Sequence, residues 1–84
     1  MTYAVYILKC KDSSLYVGCT NNLQERIKEH NESKKGAHYT KIRRPVILIH
    51  TEEYTTLKEA RKRESEIKKW RRGKKLKLIT SGGF

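Results

Sequence analysis

The first ten residues narrow the possible architectures sharply. From Thr2 to Cys10 the side chains alternate, with Tyr3, Val5 and Ile7 pointing one way and Ala4, Tyr6 and Leu8 the other. That is the pattern of a strand buried on at least one face. KDSS is a turn cluster, and Leu15 to Cys19 reads as the returning strand of a hairpin. The fold is therefore committed to a sheet within its first twenty residues. Gly18 weakens the second strand and marks a bulge or a close backbone approach.

TNN follows with three N-capping residue types, and Leu23, Ile27 and His30 recur at helical spacing. This predicts a first helix from about Leu23 to His30. The basic stretch NESKKGAHYTKIRRP, with Gly36 inside and Pro45 closing it, is long enough for a functional loop. VILIH is expected to be a buried strand and TEEYT to lead into a second helix, where Thr56 and Glu59 have capping-box spacing. That helix is expected from about Leu57 to Trp70, with Gly73 interrupting it. KKLKLI then adds a short third helix before the tail. The order ββαβα(α) is that of an α+β domain with a small, mainly antiparallel sheet.

Eighty-four residues make one domain, 1–84, with little core to spare and a tail from about 80 to 84 expected to be flexible. Twenty Lys and Arg against nine Asp and Glu give a formal net charge of +11. Such an excess favours polyanions, nucleic acid first and an anionic membrane surface second. No apolar run approaches the ~18 residues of a membrane span, and the chain begins in structure without a signal-peptide pattern. Both point to a cytoplasmic protein, with Cys10 and Cys19 as free thiols in a reducing compartment.

Two titratable residues sit where apolar ones belong, and an arginine flanks one of them. Leu57, Ala60 and Ile67 form the buried stripe of the second helix, and Glu64 falls inside it, at i+4 from Ala60 and i−3 from Ile67. Glu59 and Glu66 lie toward the solvated side. A carboxylate in an apolar stripe is costly unless a cation or donors meet it. It is either half of a structural salt bridge or a functional group such as a metal ligand at the floor of a cleft. On the first helix His30 falls within the stripe of Leu23 and Ile27, either as a satisfied core-edge residue or as part of a site, with Arg26 beside it one turn earlier. Tyr6 and Tyr16 are ordinary packing residues for a strand. Together with Arg26, His30 and Glu64 they also make a set suited to phosphodiester chemistry. A Glu oxygen binds Mg²⁺ with waters and a phosphate, an Arg meets non-bridging phosphate oxygens, and a phenol of lowered pKa takes a proton from an attacking water.

In AVYI and YVG, with Val5-Tyr6 and Tyr16-Val17-Gly18 as the two signatures, the chain resembles the GIY-YIG nuclease superfamily. The resemblance continues through Arg26 and His30 to Glu64. The ending IKKWRRGKKLKLI is similar to that of small stand-alone bacterial members. The resemblance implies a three-stranded sheet flanked by helices and a cut of DNA phosphodiesters that uses one divalent metal ion, Mg²⁺ or Mn²⁺. It implies Tyr6 as general base, Tyr16 in the nucleophile network, Arg26 on the phosphate, His30 assisting and Glu64 on the metal. Ala4 stands where the family name has Gly, and no Asn follows Asn31 although many relatives have a late one.

Two basic surfaces are expected to contact the nucleic-acid backbone. One carries Lys34, Lys35, His38, Tyr39, Lys41, Arg43 and Arg44, and the other Arg61, Lys68, Arg71 and Arg72. The expected substrate is DNA rather than RNA, structured or branched rather than a defined sequence, because no second recognition domain is present. The protein is expected to be a monomer, with a protein partner as a further source of specificity. The alternative is a non-catalytic DNA- or RNA-binding module that keeps the fold.

Overall fold

A computed structural model describes residues 2–32, 40 and 42–81. Strand β1, Tyr3–Lys9, lies between β2, Leu15–Thr20, and β3, Ile47–Tyr54, and pairs antiparallel with both. Helix α1, Leu23–Glu32, follows the hairpin, while α2, Leu57–Lys68, and α3, Arg72–Ser81, close the described chain. The sheet is three-stranded and mainly antiparallel, as the α+β reading expects. β1 is central, and its residues Ala4 to Leu8 are all buried, which explains a continuous apolar run. In the KDSS turn the Asp12 carboxylate accepts from the Ser14 N–H at 3.0 Å, and Ser13 takes a left-handed φ of 69°.

Each face of the sheet has its own core. On one face Val5, Ile7 and Val17 pack with Ala60 and Ile67 of α2, and Trp70, Leu78 and Ile79 border them. On the other, Tyr6, Leu8, Cys10 and Val46 pack with Tyr16 and with Leu23 and Ile27 of α1. The two cysteines are free, Cys10 buried in the second cluster and Cys19 bordering the first.

β3 runs on through TEEY, where the sequence suggested a lead into the helix. Glu52 is accommodated because Arg63 of α2 reaches it with two N–H groups, at 2.9 and 3.3 Å, while His50 Nε2 at 2.8 Å and the Tyr54 hydroxyl at 2.7 Å complete its shell. Burial alone would raise the Glu52 carboxyl, but these bonds outweigh it and hold the group at about 2. β3 is also less buried than VILIH implied. It is an edge strand with Ile47 exposed, and its register with β1 shifts between Ile7 and Leu8. α2 ends at Lys68, two residues short of the expected Trp70, and Gly73 does not interrupt a helix but lies inside α3. Thr56 caps α2 as its spacing to Glu59 predicts: Thr56 Oγ1 accepts from the Glu59 N–H at 3.2 Å and donates to the Glu59 carboxylate at 2.9 Å.

Candidate active site

The hairpin register sets the site. Tyr6 on β1 pairs with Gly18 on β2, and Tyr16 pairs with Leu8, so both tyrosines stand on the α1 face. The Tyr6 ring lies directly over Gly18, where a Cβ would come within 2.9 Å of Cε2 and closer still to the phenol oxygen. Gly18 is thus the close approach that a strand glycine signals. The ring centroids of Tyr6 and Tyr16 are 6.5 Å apart, and Tyr16 meets the His30 ring edge-on at 5.0 Å.

His30 arrives from α1. Asn22 caps that helix by accepting from the Glu25 N–H at 3.2 Å. Leu23 and Ile27 then direct one stripe onto the sheet, and His30 ends that stripe two turns on, wholly buried. Its ring is satisfied on both sides. Nε2 bonds the Tyr6 hydroxyl at 2.9 Å, and Nδ1 bonds Thr40 Oγ1 at 2.7 Å. Thr40, His30 and Tyr6 form a continuous buried chain, each 1% exposed or less.

Arg26 sits one turn before His30 and donates to Glu29 at 3.0 Å. Its guanidinium also faces the Tyr6 phenol. Burial pushes that phenol up to about 12, with Arg26 acting in the opposite direction. The lowered phenol expected from the residue types is therefore not found in the protein alone, because loss of hydration outweighs the guanidinium. Burial and the Arg26 charge together push His30 down to about 4, so its imidazole is neutral at physiological pH.

Glu64 belongs to α2, which covers the opposite face of the sheet. It is half-buried, and its carboxylate accepts from Lys68 at 2.8 Å. Its charge nonetheless reaches both the Cys19 thiol and the Tyr6 phenol, raising each. β2 is an edge strand of the sheet, and on it Gly18 lies under the Tyr6 ring while the neighbouring Cys19 feels the Glu64 charge. On the α1 side of this edge is a polar hollow lined by Thr20, Asn22, Glu25, Arg26 and Glu29. On the α2 side is another, lined by Arg61, Glu64, Ser65, Lys68 and Lys69. Among the described residues no three His, Cys, Asp or Glu converge on one point. A single carboxylate does not build a zinc or calcium cage. It does suit Mg²⁺ or Mn²⁺, which take one or two protein oxygens and fill the rest with water and phosphate.

Of the expected nucleic-acid contacts, Arg61, Lys68, Arg71 and Arg72 are exposed around α2 and the start of α3. Arg43 and Arg44 hold the fold together. Arg43 donates to Asp12 at 2.9 Å, and Arg44 donates to the carbonyls of Glu29 and His30 at the end of α1. Lys34, Lys35, His38, Tyr39 and Lys41 lie outside the described residues. Thr40 was missed from sequence because a threonine in a polar run carries no periodic signal. Only the need of a buried histidine for a second partner pointed toward such a residue.

The GIY-YIG catalytic domain model matches residues 2–77. The chain belongs to the GIY-YIG family. It is 55% identical over 78 residues to the UPF0213 protein SSP2268 of Staphylococcus saprophyticus, covering 93% of this chain and 94% of that one. It is 53% identical over 75 residues to a UPF0213 protein of Syntrophus aciditrophicus, covering 89% and 86%. Among solved structures it resembles the solution NMR structure of UPF0213 protein BH0048 from Bacillus halodurans, with TM-score 0.65, 43% identity, and coverage of 99% of this chain and 87% of that one. EF2693 from E. faecalis gives TM-score 0.67 and 38% identity over 96% and 85%. The family is a nuclease superfamily, which makes nucleic acid the relevant polyanion for the +11 charge. Ala4, in place of the family glycine, lies in ordinary extended strand. Among the described residues no helix is long and apolar enough to cross a membrane.

Proposed function

We propose that this protein is a metal-dependent endonuclease that hydrolyses DNA phosphodiesters, in structured or branched DNA rather than at a defined sequence. The observation that carries the reading is the buried pair of Tyr6 and His30, with the Arg26 guanidinium facing the same phenol oxygen. A phenol at about 12 is a poor free base, but it is a good relay. As water attacks phosphorus, its proton passes to the Tyr6 oxygen while the Tyr6 proton passes to His30 Nε2. Tyr6 stays neutral, and the arriving phosphate charge favours the imidazolium that forms. Arg26, held by Glu29, donates to the non-bridging oxygens as negative charge builds there. Tyr16 packs edge-on against the imidazole, which is wholly buried.

Glu64 would hold the divalent ion, after its oxygen exchanges the Lys68 contact for the metal. Such an ion, when bound, supplies positive charge for the phosphate and the departing oxygen. The basic surface of Arg61, Arg71 and Arg72 tracks the backbone without reading bases. On this reading the protein is a cytoplasmic monomer, and any specificity comes from the loops or from a protein partner. A second reading, a non-catalytic binding module, is favoured by the raised phenol and the Glu64–Lys68 pair. A cleavage screen on supercoiled, branched and single-stranded DNA, with Mg²⁺, Mn²⁺ or chelator, separates the two. The nuclease cuts at least one DNA only with metal, whereas binding without cleavage on every substrate would support the module.

A further inference from the structure

Thr40 lies in none of the residue patterns that point to the nuclease site, yet its hydroxyl is wholly buried and 2.7 Å from His30 Nδ1. What it does follows from counting donors. The Tyr6 phenol oxygen has one proton and two lone pairs. The phenol is 1% exposed, so its proton needs an acceptor within the protein. Arg26 beside it is a donor only, whereas His30 Nε2 lies 2.9 Å away and takes the proton. A neutral imidazole whose Nε2 accepts must carry its proton on Nδ1, and that proton goes to Thr40 Oγ1.

We propose that Thr40 is the positioning residue of the site, holding His30 in the Nδ1–H tautomer so that Nε2 stays open to the Tyr6 proton. The proposal rests on the nuclease reading for its catalytic consequence, but not for the tautomer itself. When the proton arrives on Nε2, the imidazolium already has an acceptor at Nδ1, so no group has to rearrange. Thr40 does the orienting that a carboxylate performs in other histidine relays, without adding a negative charge. Burial is the main influence disfavouring the charged ring, and Arg26, Glu29 and Arg44 are the charged groups that bear on it.

Thr40 and the end of α1 are each tied to the rest of the fold. The Thr40 carbonyl accepts from the Arg43 N–H at 3.0 Å, and the Arg43 carbonyl accepts from the Lys11 N–H at 2.9 Å in the β1–β2 turn. Asn31, the residue after His30, grips Val46 twice, accepting from its N–H at 2.7 Å and donating to its carbonyl at 3.1 Å. Arg44 binds the last carbonyls of α1. These bonds fix the distance between Thr40 and the end of α1 independently of the bond to the imidazole.

The test is histidine ¹⁵N NMR on the full ¹⁵N-labelled chain at neutral pH, beside Thr40→Val and Thr40→Ser. Wild type is expected to show His30 with a protonated Nδ1 and a bare, pyridine-type Nε2. Thr40→Ser keeps that pattern, and Thr40→Val moves His30 to Nε2–H or to a mixture. A wild-type His30 protonated at Nε2 overturns the proposal without any variant, as does a Thr40→Val spectrum identical to wild type. On a DNA that the wild type cuts, Thr40→Val is expected to lose about 10–100-fold in kcat with unchanged DNA affinity, and Thr40→Ser to restore it. If wild type cuts nothing, the nuclease reading fails while the tautomer measurement still decides the role of Thr40.

Discussion

Replacing Gly18 with alanine should destabilise the protein, although the same change in most exposed segments is neutral or helpful. The added Cβ would sit 2.9 Å from Tyr6 Cε2 and inside the contact distance of the phenol oxygen and Cζ. Tyr6 is 1% exposed, tied to His30 and flanked by Tyr16, so the ring has no free space to enter. Overpacking of this kind costs about 1–3 kcal/mol, and losing the Tyr6–His30 bond adds about 0.5–1.5. Reduced freedom of the unfolded chain returns about 0.4–1. The net expectation is a loss of about 0.5–4 kcal/mol, centred on ~2, read by urea denaturation and calorimetry, with Tm falling by roughly 4–8 °C per kcal/mol. Gly73→Ala is the control. It lies in α3 with nothing within 4 Å of an added Cβ and should gain about 0.5–1 kcal/mol. Wild-type stability for Gly18→Ala, with the Tyr6–His30 bond intact, would refute the close approach on which the site is built.

Arg44 and Arg72 should separate in function despite equal charge. Arg44→Ala loses its bonds to the α1 carbonyls and should cost about 1.5–3 kcal/mol of stability, whereas Arg72→Ala should change stability by less than ~0.5 kcal/mol and weaken DNA binding. Binding should depend steeply on salt, with a slope of log K against log salt near roughly −4 to −5 for about 4–6 neutralised phosphates; a flat response would contradict the basic footprint. Stability should also fall in mild acid. The unfolded chain protonates its histidine near 6.5, while folded His30 stays neutral to about 4. The His30 contribution is therefore complete above about 6.5 and lost as pH drops from there to about 4. His30→Gln should flatten that part of the pH–stability curve, and an unchanged slope would contradict the buried neutral imidazole.

The sheet and its pairing were legible because β1 is buried on both faces and the turn residues are local. The end of β3 was not, because Glu52 looks like a strand breaker until Arg63, eleven positions away and on another element, supplies its counter-charge. The same holds for the site. Tyr6, Tyr16, Arg26 and His30 could be placed because one hairpin and one helix carry them in a fixed register. Glu64 stands out in the sequence as a charge in an apolar stripe, but its periodicity says nothing of which sheet face α2 covers. The structure puts α2 on the face opposite Tyr6, although the Glu64 charge still bears on the Tyr6 phenol. The partner of Glu64 is also a modest one. The i,i+4 pair with Lys68 is partly exposed, so the large stability loss expected for a buried salt bridge does not apply here.

That geometry leaves Glu64 as the residue on which the account turns. The direct measurement is single-turnover cleavage of a DNA that the wild type cuts, with Mg²⁺, for wild type and Glu64→Gln, alongside DNA affinity and melting of both proteins. Stability should differ by less than about 1 kcal/mol, because a partly exposed i,i+4 pair contributes about 0.3–1 kcal/mol. Affinity should hold or tighten slightly, since a negative charge near the phosphate is removed. Cleavage should fall by at least about 10²–10³-fold. A Glu64→Gln protein that binds and cuts at the wild-type rate would contradict the claim that Glu64, Tyr6 and Arg26 serve one reacting phosphate at the β2 edge.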